Sequence, residues 1–348
     1  MHLTKSSRLS VTGRRGLFTL LSCFVLALIL VSCGAGKGHI RIKGHFKHLG
    51  EGELYAYSPS SQWDGFDTIQ VKDGSFSISR PATDTLLVTL QYPNFMQTTL
   101  VAIPGKTIKV EGDASNMLRI KVSGSPENKL LTQYRELIFH KSDAERRKIA
   151  ARMIEQHPAS FASLAIFSEV FLNVDQIDCV EASRLLKLMQ HAAPNRPQLK
   201  LLSNQLTSVF TNREGSRLPS FTAKTLSGQT VNDRTFSGQP LVISFWASWS
   251  TDFSSPLRQL SSMVRSRSVK LNMLNICLDA DTIQCNNVIR RDTLRGYTVC
   301  DRRHFMSPLV RKLGLRYVPG NIVVNSQGVI IGRDLTPDQI FTKLGYSK

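Results

Sequence analysis

Cysteine is scarce, with six in 348 residues. That is too few to staple a chain of this length into a disulfide scaffold. Long apolar runs are scarcer still: the only one lies at the N-terminus, which excludes a polytopic membrane protein. Acidic residues are outnumbered, 26 against 44 Lys and Arg, for a formal charge of +18. Hydrophobic residues nevertheless make up 41 % of the chain, ample for real cores, so wholesale disorder is excluded. The length predicts two or three domains. A cationic surplus is the electrostatic footprint of a nucleic-acid binder, so its position along the chain has to be settled first.

Lys5, Arg8, Arg14 and Arg15 form a basic patch with no acidic residue nearby. Gly16 to Val31 is apolar except for Thr19, Ser22 and Cys23, and Leu30-Val31-Ser32-Cys33-Gly34 follows. A basic patch, a short apolar run and small residues before a cleavage point describe an export signal over residues 1–32. The Leu-Val-Ser-Cys ending resembles a bacterial lipobox, which implies cleavage before Cys33 and a diacylglycerol on its thiol. An uncleaved single-span anchor would leave the rest on the same side. Either way the expectation is a membrane-anchored chain in the periplasm of a Gram-negative cell envelope, on the inner or the outer membrane. Four cations leave with the signal. Residues 33–212 then hold 21 basic and 17 acidic residues, and residues 213–348 hold 19 and 9, a surplus of ten. Outside the cytoplasm nucleic acid drops out as a partner, and an acidic protein or anionic surface takes its place.

From His39 to about Val122 the pattern alternates with period two, as in Ile40-Arg41-Ile42-Lys43 and Phe76-Ser77-Ile78-Ser79. Asp73-Gly74 between two such runs predicts a hairpin, because both residues tolerate positive φ. Seven or eight short strands predict a β-sandwich over residues 33–125. His45 and His48, with His39 nearby, are three apart and so face opposite sides of an alternating strand, and no shared metal site is read there. Gly34-Ala35-Gly36-Lys37 is a tether rather than a phosphate loop, since no strand precedes it. The stretch resembles the N-terminal domain of unknown function that precedes thioredoxin-like domains in Bacteroidetes-type envelope lipoproteins. The resembling residues are Ile42-Lys43-Gly44, Val71 to Phe76, Pro104 to Asp113 and Val122 to Asn128. The resemblance implies no chemistry. Residues 126–212 switch to helical spacing, as at Leu130, Leu131, Tyr134, Leu137 and Ile138, and read as a helical connector without catalytic residues.

Residues 213–348 alternate strand and helix. Leu241-Val242-Ile243-Ser244-Phe245 is the continuous apolar run of a buried strand, and the order argues an α/β layer fold. Leu218-Pro219-Ser220-Phe221, Leu226 to Gln229, Val242 to Trp249, Val318-Pro319 and Gly328-Val329-Ile330 resemble the TlpA/ResA-type thioredoxin-like family, whose activity is thiol-disulfide exchange. Active members follow the Phe245-Trp246-Ala247-Ser248-Trp249 stretch with Cys-Gly-Pro-Cys. Here those positions hold Ser250, Thr251, Asp252 and Phe253. Exchange needs a low-pKa thiolate and a second thiol to resolve the mixed disulfide, and a hydroxyl beside a phenyl ring supplies neither. Ser250 as a hydrolase nucleophile lacks a base, since His304 is the sole histidine of this portion. Ser250 and Asp252 read instead as helix-capping residues.

The resemblance further implies a cis Val318–Pro319 bond and a peptide groove lined by Trp246, Trp249, Ser250, Thr251, Asp252, Phe253, Val318 and Pro319. The expected function is binding of a peptide or protein partner without turnover, with Arg302, Arg303, Arg311 and Arg316 favouring acidic segments. No cofactor and no metal site are read. Cys277 and Cys300 fall near the ends of neighbouring parallel strands, so a disulfide between them is an open alternative. With it comes a thiol-disulfide oxidoreductase using those two cysteines. Cys285 reads as a packing residue.

Overall fold

The computed structural model describes residues 36, 38–174, 177–250, 254–266 and 269–346. Residues 1–32, expected to form an export signal, and Cys33 lie outside the described residues, as do Thr251, Asp252 and Phe253. No helix among the described residues is long and apolar enough to cross a membrane. The chain packs as two compact units, one up to residue 153 with 160–166, the other 154–159 with 167–348. The helical stretch expected as a separate connector is therefore divided between them.

In the first unit eight strands form two four-stranded sheets. β4 (Ser75–Pro81), β1 (His39–Lys47), β7 (Thr107–Asp113) and β8 (Lys121–Ser123) make one, in that order. β3 (Asp67–Val71), β2 (Gly52–Tyr57), β5 (Leu86–Gln91) and β6 (Gln97–Ala102) make the other. Alternate residues of each strand face inward, so Ile40, Ile42, Leu54, Val88, Leu90, Leu100, Ile108 and Val110 form one core at 1 % exposure or less. The Asp73-Gly74 turn is the expected two-residue hairpin, with φ of 47° and 72° and Lys72 and Ser75 exchanging backbone hydrogen bonds. Helix α1 (Pro126–Ile138) starts on a proline, with the Ser125 hydroxyl accepting the Asn128 N–H at 3.2 Å. Helices α2 (Asp143–Gln156) and α3 (Phe161–Phe167) carry the chain into the second unit.

There, helices α4 (Cys179–Ala192) and α5 (Pro197–Thr211) precede a small ribbon of β9 (Thr222–Lys224) and β10 (Thr230–Asn232). The main sheet has five strands, in the order β13 (Tyr297–Val299), β12 (Asn272–Cys277), β11 (Leu241–Trp246), β14 (Gly320–Val324) and β15 (Ile330–Arg333). β11, β12 and β13 run parallel, while β14 and β15 are antiparallel to their neighbours. Every residue of β11 is buried, as a central strand covered on both faces requires. Leu241, Ile243 and Phe245 pack on one face with helix α8 (Pro308–Leu313). Val242 and Trp246 pack on the other with α6 (Ser254–Ser266), α7 (Thr282–Arg291) and α9 (Pro337–Lys343).

Candidate functional site

The turn after β11 leads to Ser250, and Thr251 to Phe253 lie outside the described residues. The Ser248 N–H donates to the buried Asp279 carboxylate at 2.8 Å, and the Ser250 N–H donates to the Ala247 carbonyl at 3.2 Å. Trp246 is only 1 % exposed. Trp249, three residues on, is 54 % exposed. The Val318–Pro319 bond is cis. Phe245 pairs with Gly320 across β11 and β14, so Pro319 arrives beside the end of β11. A cavity of about 200 Å³ opens there, lined by Trp246, Leu257, Tyr317, Pro319 and Asp334. Burial raises the Asp334 carboxyl above its ordinary value, against the pull of Arg333.

The exposed Trp249 ring meets Phe305, centroids 6.5 Å apart, and Met306 beside it is 65 % exposed. Arg302 and Arg303 are exposed on the same loop. Arg302 and His304 both hold left-handed backbone, φ 62° and 50°, which costs a non-glycine residue about 1–3 kcal/mol. Two of the four arginines assigned to an acidic partner are engaged within the fold. Arg316 donates to the carbonyls of Leu172 and Val174, both at 2.8 Å, and Arg311 reaches the Met306 sulfur at 2.8 Å. Carbonyls left over where a helix ends need donors, and Arg316 supplies them.

The Cys277–Cys300 disulfide is not formed, because all four described cysteines are free. Side chains of paired parallel strands stand side by side, perpendicular to the sheet, and here a third thiol joins them. The Sγ atoms of Cys277, Cys285 and Cys300 all lie within 4.8 Å of one another. Cys277 and Cys285 are buried and Cys300 is half-buried. Hydrogen bonding to Cys285 and Cys300, with burial, pushes the Cys277 thiol up. Cys285 is drawn down by Cys277, but Cys300 and burial outweigh that and leave it raised. Cys300, receiving both partners, is lowered. Cys285, which reads from the sequence as a packing residue, completes the cluster. The signal was its spacing with Val288 on the inward face of α7, opposite the face of β12 that carries Cys277.

Residues 40–131 match a family profile described as a domain of unknown function, DUF4369. No curated protein matches the chain. Among solved structures, one described as the C-terminal domain of a thiol-disulfide oxidoreductase from Bacteroides thetaiotaomicron is 29 % identical, with a TM-score of 0.34, covering 38 % of this chain and 94 % of that one. A thiol-disulfide oxidoreductase from Bacteroides fragilis is 25 % identical, with a TM-score of 0.35, covering 37 % and 96 %. A thioredoxin-like protein from Bacteroides caccae reaches a TM-score of 0.46 at 14 % identity, covering 64 % and 83 %. Residues 40–131 are thus similar to DUF4369, and the solved structures cover between 37 % and 64 % of the chain.

Proposed function

We propose that the thioredoxin-like portion binds an acidic peptide segment of a partner protein, without thiol turnover at Ser250 and Phe253. One observation carries the reading. Trp249 stands 54 % exposed against Phe305, beside Met306 and the exposed cations Arg302 and Arg303. Large aromatic and methionine surfaces left open to water are characteristic of recognition sites, and the cations add charge selectivity. The adjoining turn has a hydroxyl where exchange chemistry needs a thiolate. The basic patch, apolar run and Leu-Val-Ser-Cys ending support a chain held in the periplasm by lipid on Cys33, with the membrane as its second contact.

The test has two arms. The purified chain is assayed for dithiothreitol-driven insulin reduction, and peptides displayed on phage are selected against it. The expected outcome is no reduction above the uncatalysed rate, and enrichment of acidic peptides that fail to bind the Trp249→Ala variant. Turnover by the wild type, or enriched peptides indifferent to Trp249, would sink the proposal.

A second reading, a thiol-disulfide oxidoreductase using Cys277 and Cys300, is favoured by the proximity of three thiols with one half-buried. It predicts insulin reduction by the wild type that disappears in Cys277→Ser.

A further inference from the structure

We infer that Cys277, Cys285 and Cys300 form a three-coordinate site for a soft, monovalent metal ion, Cu(I). The three sulfurs come from positions well separated in sequence and from three rigid pieces. Cys277 ends β12, Cys285 lies in the second turn of α7, and Cys300 directly follows β13. Strand register aligns the first two strands. Ile276 pairs with Val299, so Cys277 and Cys300 are the next neighbours and point to the same face. That face is the one α7 covers, and the Asp281 carboxylate accepting the Ile283 N–H at 2.8 Å fixes where α7 begins. Side chains held this way are suited to a metal site, because the scaffold and not the ion sets their directions.

The donor set selects the ion. Among the described residues no His, Asp or Glu joins the three sulfurs. An ion about 2.3 Å from each of three thiolates holds them about 4.0 Å apart, so the observed limit of 4.8 Å requires a contraction that small side-chain rotations supply. Zn(II) completes a tetrahedron and needs a fourth donor, whereas thiolate softness matches Cu(I). Cys277 and Cys285 are 2 % and 0 % exposed in one apolar cluster with Trp246, Leu257, Leu260 and Val288, so their side of the site offers no fourth donor. Half-buried Cys300 is the side from which an ion reaches the site. Each sulfur that binds as a thiolate releases its proton to water, and no electron is transferred. A single buried cysteine is an ordinary packing residue, but three converging from separate elements place their only soft donors at one point.

The inference stands apart from the peptide-binding reading. The test uses the full chain in detergent, reduced and anaerobic, with Cys23→Ala and Cys33→Ala so that only the four described cysteines remain. Cu(I) is offered from its bicinchoninate complex. The expected result is withdrawal of one equivalent, a sulfur-to-copper charge-transfer band, and an X-ray absorption edge with sulfur neighbours only. Cys285→Ala and, separately, Cys300→Ser should weaken binding by at least the roughly 10–100-fold that loss of a supporting group costs. Cys179→Ala should leave it unchanged. Cys300 is half-buried, so its serine variant tests the site even if Cys285→Ala fails to fold. No withdrawal of copper, a preference for Zn(II), binding indifferent to Cys285 and Cys300, or a Cys277–Cys300 disulfide in the protein as isolated would each overturn the inference.

Discussion

Asp334 is a carboxylate whose chemistry its burial decides. It lines the cavity beside Pro319, accepts the Asn321 N–H at 3.2 Å and is raised above the ordinary 3.8 mainly by desolvation. A raised carboxyl binds its proton more tightly in the folded state than in the unfolded one. Stability from this group therefore falls as pH rises from 3.8 through the folded value, and returns on acidification. Asp334→Asn keeps an acceptor and removes the charge, so denaturant unfolding from pH 4 to 7 should show a smaller loss of stability with rising pH than the wild type. An unchanged slope would contradict that origin. Gly296 is a second residue with a single physical reason. Its φ is 91°, and a Cβ there would lie 2.2 Å from the Met273 carbonyl oxygen. Gly296→Ala should destabilise the chain by at least about 1–3 kcal/mol in chemical unfolding, because both strain and clash fall on the turn into β13. The cysteines teach the opposite lesson. Cys277 and Cys300 were legible as strand neighbours, but Cys285 read as packing, since nothing in a sequence says which inward helical position meets which strand end.

Elements were legible where local chemistry fixes them. The Asp-Gly hairpin between β3 and β4, the proline start of α1 and the apolar run of β11 follow from φ preference, a missing N–H and burial respectively. The way α1 covers the edge of its sheet was not legible. β6 is an edge strand, and Asn128 on α1 takes its place in the ladder. The Asn128 Oδ1 accepts the Val101 N–H at 2.8 Å and its Nδ2 donates to the Val101 carbonyl at 2.7 Å, with Asn128 fully buried. Asn128→Leu fits the apolar surroundings by volume but leaves both backbone groups unpaired. The expected cost is about 1–3 kcal/mol for each, read as a lowered denaturation midpoint. A neutral substitution would mean that water reaches β6. How the helices of residues 126–212 divide between the two units was likewise not legible, because helical periodicity marks an apolar stripe without naming what receives it.

For the whole molecule, the charge asymmetry is the property that sequence alone supplies. A surplus of ten cations on residues 213–348 should make binding of an acidic peptide weaken steeply as salt rises from low to physiological strength, since exposed charges are screened beyond about 8 Å at 0.15 M. Titration calorimetry or fluorescence anisotropy at two ionic strengths measures it, and salt-independent affinity would point to the aromatic face alone. Composition and strand alternation already determined two β-containing portions, and the Phe245-Trp246-Ala247-Ser248-Trp249 stretch carried the thioredoxin-like resemblance of the second, because each depends on residue type at short range. Tertiary structure alone decided that Trp246 is core while Trp249 is surface, that Arg316 serves a helix end, and that three distant cysteines share one point. Those outcomes depend on which faces of separate elements pack together, a long-range choice that neither spacing nor propensity encodes.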